Sequence, residues 1–289
     1  MLFGFDGFHE TDFDLYSKSK GALSIYNSKR FLVRNKLDAL GESLLLENTV
    51  YDISDSAPSG WNKNLVTEHI LYFIRPKNAR ESLDSLIEKE ISFKDYIEDS
   101  SIYHNHLMLG LRITEKGIFV YLHLNKNAVV DYRNLKSRLE YEADSEEFKT
   151  LFNLPVLDKD FNEINDDIFE IIEKNKSFSV GKFYPKDSEI LKNEFFEEEF
   201  KNIILSLKPL YDFILWVSEN DNIEIKEEIK ENKIILRQAG LKKGDKVRIL
   251  SGIFRGKTAT LNKITKKGKA TININGIRST IDASELTKI

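Results

Sequence analysis

The clearest alternation of apolar and polar positions lies in residues 104–125, HNHLMLGLRITEKGIFVYLHLN. Because successive side chains of a strand point to opposite faces, this pattern predicts a β-hairpin that turns at residues 115–117. One face is entirely apolar: Leu107, Leu109, Leu111, Ile113, Ile118, Val120, Leu122 and Leu124. The other is mixed: His104, His106, Met108, Gly110, Arg112, Phe119, Tyr121 and His123. We expect the apolar face in the core, and the mixed face either covered by helices or lining a cleft.

Helical spacing of apolar residues predicts a helix from Ser24 to Leu46. Its apolar positions are Ile25, Phe31, Leu32, Leu37, Leu40, Leu44 and Leu45. β-Branched and aromatic residues predict a strand over 65–75. Further helices are predicted over 79–89, 132–141, 146–152, 166–174 and 195–217. Pro209 should kink or split the last of these, because proline removes a helical hydrogen bond.

Beyond residue 240 the pattern changes to short strands, over 246–250, 257–264, 270–274 and 279–281. Their inward positions would fill one small interior: Val247, Ile249, Leu261, Ile264, Ile272, Ile274 and Ile281. Glycines fall between the strands, where turns need them. Short strands in a segment of this size are typical of an SH3-like barrel. The predicted fold class is therefore α+β, with an antiparallel sheet and packed helices in an N-terminal body and a small all-β barrel after it.

Charge divides the chain at the same place. The net charge of the whole is −4, but residues 237–289 hold 13 Lys and Arg against 3 Asp and Glu, and residues 1–236 hold 30 against 44. Residues 219–233 are highly charged and contain no aromatic residue. We therefore predict three parts: an α+β body at 1–218, a charged linker at 219–239 and the barrel at 240–289.

Composition excludes several classes of function. The chain has no cysteine, so disulfides and thiolate chemistry are excluded. No apolar run approaches the roughly 20 residues of a membrane span, and MLFGFDGFHETDFDLY lacks the basic region of a secretory signal. Walker, G-x-S-x-G and H-E-x-x-H patterns are absent. We expect a cytoplasmic protein with no cofactor and no membrane partner.

The segment LKKGDKVRILSGIFRGKTATL resembles the KOW motif, which is shared by a class of ribosomal proteins and by the transcription elongation factor NusG. The resemblance implies binding to RNA, to ribosomal components or to protein partners of transcription and translation. One position departs from the motif: its most characteristic glycine is replaced by Ala259. That departure predicts a different bend in the barrel.

The body resembles uncharacterised bacterial families more loosely. GFHETDFDLY followed by RFLVRNKLDALGESL is similar to the start of the YktB-like family, and KSFSVGKFYPKDSEILKNEFFEEEFKNIILSLKPLYDFI is similar to the end of a related family. These resemblances imply an α+β fold with an antiparallel sheet. They imply no activity.

A strongly positive small surface is the candidate binding site of the barrel. Its predicted members are Lys246, Arg248, Phe254, Arg255, Lys257, Lys266, Lys267, Lys269 and Arg278. Phe254 is the aromatic residue available to stack or insert. The expected partner is RNA or a ribonucleoprotein, such as the ribosome or RNA polymerase, and an acidic protein surface is the alternative. A third interpretation is that the lysines serve only solubility.

In the body, the mixed hairpin face is the candidate pocket, formed by His104, His106, Arg112, Tyr121 and His123. Trp61 could rim a pocket together with Tyr72, Phe119 and Tyr121. The three histidines do not predict a metal site, because the hairpin register separates His123 from His106 by roughly 7–13 Å. The acid groups Asp12/Asp14, Asp166/Asp167 and Glu197/Glu198/Glu199 are expected at helix starts and solvated faces.

These observations favour a non-enzymatic binding factor whose basic barrel engages RNA or a ribosome- or polymerase-associated partner. The alternative is an enzyme or ligand-binding body, with the barrel as a targeting or docking module. A deep cleft on the mixed hairpin face would favour the alternative.

Overall fold

The computed structural model describes residues 5–54, 65–90, 102–158, 162–218, 241–251, 254–264, 269–274 and 277–289. The predicted linker and the loop containing Trp61 lie outside the described residues. By its internal contacts the chain divides into two compact units, Met1–Arg80 with Glu98–Val217, and Glu81–Ile97 with Ser218–Ile289. No helix in the described part of the chain is both long enough and apolar enough to cross a membrane.

The described residues form eight α-helices and eleven strands. The helices are α1 (Glu10–Asp14), α2 (Lys18–Gly21), α3 (Asn27–Glu42), α4 (Lys77–Glu90), α5 (Val129–Leu139), α6 (Glu142–Thr150), α7 (Ile168–Asn175) and α8 (Phe195–Ile214). The strands of the body are β1 (Val50–Ile53), β2 (Glu68–Ile74), β3 (Met108–Thr114), β4 (Gly117–Leu124), β5 (Val156–Leu157) and β6 (Phe178–Pro185). The strands of the barrel are β7 (Lys246–Ile249), β8 (Thr258–Ile264), β9 (Lys269–Ile274), β10 (Ile277–Asp282) and β11 (Leu286–Lys288).

The body is built on one antiparallel sheet with strand order β1-β2-β3-β4-β6-β5. The predicted hairpin is its centre, with Ile113 opposite Ile118 and Met108 opposite His123. The apolar face of the hairpin is completely buried, as predicted. It packs against α8, and α3 packs against β1 and β2 in the same core, which includes Leu37, Leu40 and Phe200. The α+β fold class is confirmed.

The predicted helix over 24–46 is correct in type, but only three of its seven apolar positions are buried, Leu37, Leu40 and Leu44. Residues 27–42 are helical, yet Phe31 and Leu32 are more than half exposed and Leu45 is almost fully exposed. Arg30 is fully buried instead. Its guanidinium donates to the main-chain carbonyls of Lys20 and Leu23. These hydrogen bonds compensate the cost of burying the charge. The helix can therefore bury Arg30 and expose the apolar side chains of Phe31 and Leu32.

The longest helix, α8, runs without a break from Phe195 to Ile214 and contains Pro209 in its interior. Pro209 therefore does not split the helix. The hydrogen bond that proline removes would have gone to the carbonyl of Leu205, four residues earlier. Leu205 is about half exposed, so water can satisfy this carbonyl.

The barrel is a five-stranded antiparallel sheet with strand order β10-β9-β8-β7-β11. The predicted interior residues Val247, Ile249, Leu261, Ile272 and Ile274 are buried, and Ile281 packs against them. Four further side chains complete the core: Ala259, Ala270, Ala283 and Leu286. Pairing of β7 with β11 brings the first and last strands together, with Leu286 opposite Ile249. This second sheet confirms an all-β C-terminal unit.

Candidate functional site

The outward face of β7 and β8 carries the predicted cations. Lys246 and Arg248 are exposed, while Val247 and Ile249 between them are buried. Because residues two apart on a strand share a face, the two positive groups point the same way, with Cα atoms roughly 7 Å apart. Thr260 lies opposite Lys246 and Thr258 lies opposite Arg248. Both threonines are exposed, so hydroxyl groups alternate with cations across the two strands.

The row extends over the neighbouring strands. Thr260 pairs with Asn273 on β9, and Asn273 pairs with Arg278 on β10. On the other side, Arg248 pairs with Thr287 on β11. Side-chain hydroxyls, amides and cations are the groups that contact phosphate and sugar in nucleic-acid complexes. Thr258, Thr260 and Asn273 were not predicted from the sequence. They alternate along β8 and β9 with buried residues, and this alternation could have indicated that they face outward.

The loop between β7 and β8 adds two exposed cations and an aromatic ring. Arg255 and Lys257 are exposed, whereas Phe254 is only partly exposed because it packs against the barrel core. The Lys257 ammonium lies 5.8 Å from the centre of the Phe254 ring. Gly256 has φ +82°, in the region that favours glycine, and its N–H donates to the Ile249 carbonyl at 2.7 Å. The loop is thus closed back on β7 beside Arg248.

Little negative charge opposes this surface. Asp282 is buried, and Asp245 is held in the turn before β7. The carboxylate of Asp245 pairs with Lys288 at 2.8 Å and accepts from the Lys242 N–H at 2.7 Å. These two contacts, the Lys288 ammonium first, hold the pKa of Asp245 below its ordinary value. Asp245 therefore stays ionised and fixes the turn that leads into β7.

The remaining predicted members of the surface are placed unevenly. Lys269 begins β9 and is partly exposed, and Arg278 lies in β10. Lys266 and Lys267 lie outside the described residues. Ala259, at the position of the motif glycine, lies inside β8 opposite Val247, with its methyl group buried in the core. Its position is that of an ordinary strand residue.

Comparison with known proteins agrees with this geometry. The family model described as the KOW motif matches residues 243–274, which run from the turn before β7 to the end of β9. The resemblance of the C-terminal segment to the KOW motif is thereby confirmed, over a small part of the 289-residue chain. No curated protein matches the chain. A KOW motif suggests a nucleic-acid-binding or ribosome-associated module.

The mixed hairpin face of the body lines a cleft of about 350 Å³. Four of the five residues predicted for this pocket line it: His104, Arg112, Tyr121 and His123. Further lining residues come from β5, α7 and the start of β6, and include Leu157, Ile171, Asn175 and Ser179. The mixed face thus lines a cleft, and α7 supplies part of its cover.

The fifth predicted pocket residue, His106, lies elsewhere. It is 2% exposed and does not line the cleft, because it precedes β3 and is buried. Burial, together with the nearby positive charge of Arg75 and Arg80, lowers its pKa well below the ordinary value. The predicted separation of the histidines agrees with the structure, in which His123 lies opposite Met108 rather than His106. Among the described residues, no three His, Asp or Glu side chains gather as metal ligands.

The rings along the cleft form a continuous strip. Phe119 and Tyr121 stack with centroids 4.4 Å apart, and the Arg112 guanidinium lies 5.6 Å from the Tyr121 ring. His123 follows at 6.0 Å from Tyr121, and His104 lies 6.3 Å from His123. The cross-strand neighbours of Tyr121 are both glycines, Gly110 and Gly181. A Cβ at Gly181 would lie 2.1 Å from the Val120 carbonyl oxygen, so close backbone approach requires glycine there.

The acid groups have structural roles, as expected. Asp167 caps α7 by accepting from the Phe169 N–H. Asp12 accepts from the His9 N–H and pairs with Lys36 at 3.1 Å. Three other acids of these groups contribute the ion pairs Asp14–Lys20, Glu197–Lys201 and Glu199–Lys182. These contacts account for the carboxylates by packing and charge neutralisation.

Proposed function

We propose that the protein is a cytoplasmic binding factor whose barrel engages RNA, within the ribosome or beside RNA polymerase. The observation that carries this proposal is the outward row of Lys246 and Arg248, continued by Arg255 and Lys257 of the adjoining loop. The match of these strands to the KOW motif, which suggests a nucleic-acid-binding or ribosome-associated module, supports the proposal. Phosphate contacts of this kind give affinity without base readout, so sequence-independent binding is expected.

The proposal requires no chemistry from the barrel. Its outward face presents cations, hydroxyls and an amide, which are suited to positioning a phosphate backbone. The body and the barrel would be joined by the charged linker at 219–239. The acidic body repels the same polyanion within about one Debye length, ~10 Å at 0.1 M salt, which would disfavour RNA that approaches close to it.

The test is RNA binding by the full chain, measured by fluorescence anisotropy with a labelled single-stranded RNA. Four phosphate contacts, one each for Lys246, Arg248, Arg255 and Lys257, predict a loss of about 50-fold in affinity between 50 and 200 mM salt. The variant Arg248→Glu/Arg255→Glu/Lys257→Glu should lose binding and the salt dependence. The matched control is Lys18→Glu/Lys29→Glu/Lys186→Glu, which changes the net charge equally at exposed positions of the body.

Two results would contradict the proposal. One is an absence of RNA binding by the full chain at 50 mM salt. The other is equal affinity of the two triple variants, which would show that total charge rather than this surface determines binding. If RNA fails to bind but an acidic protein is retained, and only the barrel variant loses it, the protein-docking alternative replaces the RNA proposal.

A further inference from the structure

The cleft of the body has chemically different ends. Arg112 and His123 both line it, but they lie on neighbouring strands in different rows of the sheet. Arg112 is opposite Phe119, and His123 is opposite Met108, four residues back along β3. At about 3.3 Å per residue, the two rows are roughly 13 Å apart. Tyr121 lies between them, so the cleft is long, with a cationic end, an aromatic middle and an imidazole end.

The imidazole end is rich in groups that hydrogen-bond to polar rings. The row of His123 contains Ser179 on β6, and Ser179 pairs with Leu157 on β5. The Nδ1 atom of His123 lies 2.8 Å from the Ser179 hydroxyl and 3.2 Å from the Phe178 carbonyl. A carbonyl only accepts, so the contact with Phe178 is a hydrogen bond when Nδ1 carries the ring proton, whereas the Ser179 hydroxyl can pair with Nδ1 in either tautomer. Asp158 and Asn175 also line the cleft and supply a carboxylate and an amide.

The cationic end holds Arg112 next to Glu68, with nitrogen and oxygen 3.5 Å apart. Both side chains are partly exposed, so this ion pair is solvated and weak. A guanidinium binds phosphate through paired N–H donors, and a phosphate dianion competes well with a single carboxylate. An anionic ligand group would therefore compete with the Glu68 carboxylate for the Arg112 guanidinium. Glu68 would oppose its binding.

From these two ends and the ring strip between them, we propose that the cleft binds a nucleoside monophosphate. Its phosphate would pair with Arg112, and its base would lie against the imidazoles of His104 and His123. A volume of about 350 Å³ is at the lower end of the roughly 300–1,000 Å³ of small-molecule sites. That size suits one nucleotide. The ligand is either a free nucleotide or the terminal nucleotide of an RNA chain, because the two present the same chemistry.

The experiment is isothermal titration calorimetry of the full chain with AMP, GMP, CMP and UMP, the corresponding nucleosides and inorganic phosphate. At least one monophosphate should bind more tightly than its nucleoside and than phosphate alone. Arg112→Gln should weaken monophosphate binding by about tenfold or more and leave nucleoside binding unchanged. Glu68→Gln should strengthen it several-fold, since it removes the competing carboxylate. Opposite effects at two neighbouring positions are not expected of a merely structural role.

A second arm identifies the source of the nucleotide and separates this site from the barrel. In the variant Arg248→Glu/Arg255→Glu/Lys257→Glu, whose barrel should no longer hold RNA, short RNAs with a terminal phosphate that bind more tightly than the free nucleotide would identify the RNA end, and their exclusion would identify the free nucleotide. The variant Arg248→Glu/Arg255→Glu/Lys257→Glu should keep the wild-type affinity for monophosphates. The proposal is overturned if no monophosphate binds at millimolar concentration, if Arg112→Gln and Glu68→Gln leave binding unchanged, or if only the barrel variant abolishes it.

Discussion

Acid should destabilise the body through one buried histidine, His69 on β2. Its side chain is fully buried, and its Nδ1 atom lies 2.6 Å from the hydroxyl of the equally buried Tyr16. The hydroxyl can donate to Nδ1 only while the imidazole is neutral. Burial first, and then the positive charges of Arg34 and Arg30, lower the pKa of His69 from 6.5 to about 3. His69 therefore binds a proton less readily in the folded body than in the unfolded chain.

The sign and size of the effect follow from that difference in pKa. Between pH 6.5 and about 3 the unfolded state binds more protons than the folded state, so stability falls as the pH falls. The contribution of His69 is complete above pH 6.5 and is lost progressively below it. From pH 7 to pH 5 this residue alone should lower the free energy of unfolding by about 2 kcal/mol. His106, whose pKa is also lowered, adds to the effect in the same direction.

Urea unfolding followed by tryptophan fluorescence would measure this, because Trp61 and the buried Trp216 both precede the barrel. His69→Gln keeps an acceptor for Tyr16 and removes the titrating group. The loss of stability between pH 7 and pH 5 should then be smaller by about 2 kcal/mol than in the wild type. His9→Gln, at an exposed position, should keep the wild-type dependence. Equal pH dependence in His69→Gln and the wild type would refute the reasoning.

Three further predictions concern packing and domain organisation. Asp131 is 1% exposed in its ion pair with Arg75, so Asp131→Asn should lower the free energy of unfolding by about 3–5 kcal/mol. Asp144→Asn, in the partly exposed pair with Arg138, should lower it by less than about 1 kcal/mol, and equal losses in urea unfolding would be inconsistent with this. Ala259→Gly should lower the free energy of unfolding of the barrel, measured by calorimetry, by about 1 kcal/mol and should leave RNA affinity within twofold. A gain in affinity would show that the Ala259 methyl group hinders binding. Limited proteolysis should cut first within residues 219–233 and release a folded body, and a resistant segment there would argue against a two-domain chain.

The sequence predicted best where structure depends on near neighbours. The hairpin and its apolar face followed from alternation, which reports the local geometry of a strand. The burial of Arg30 in α3 could not be predicted, because it depends on how the main-chain carbonyls of Lys20 and Leu23 are folded over its guanidinium. Phe31 is exposed as a result. The cleft was predicted from one wall only. Its other wall depends on pairing of β6 with β4, which connects residues more than fifty positions apart.

The pairing of β7 with β11 has a consequence for how the barrel is made. β7 is the first strand of the barrel to be synthesised, and one of its edges stays open until Leu286–Lys288 exists to pair with it. An open strand edge is a template for pairing with another unfinished chain. Lys246 and Arg248 make β7 positively charged in every nascent chain, and two such strands repel each other. The residues proposed to hold RNA in the finished protein would thus also protect the nascent chain from aggregation.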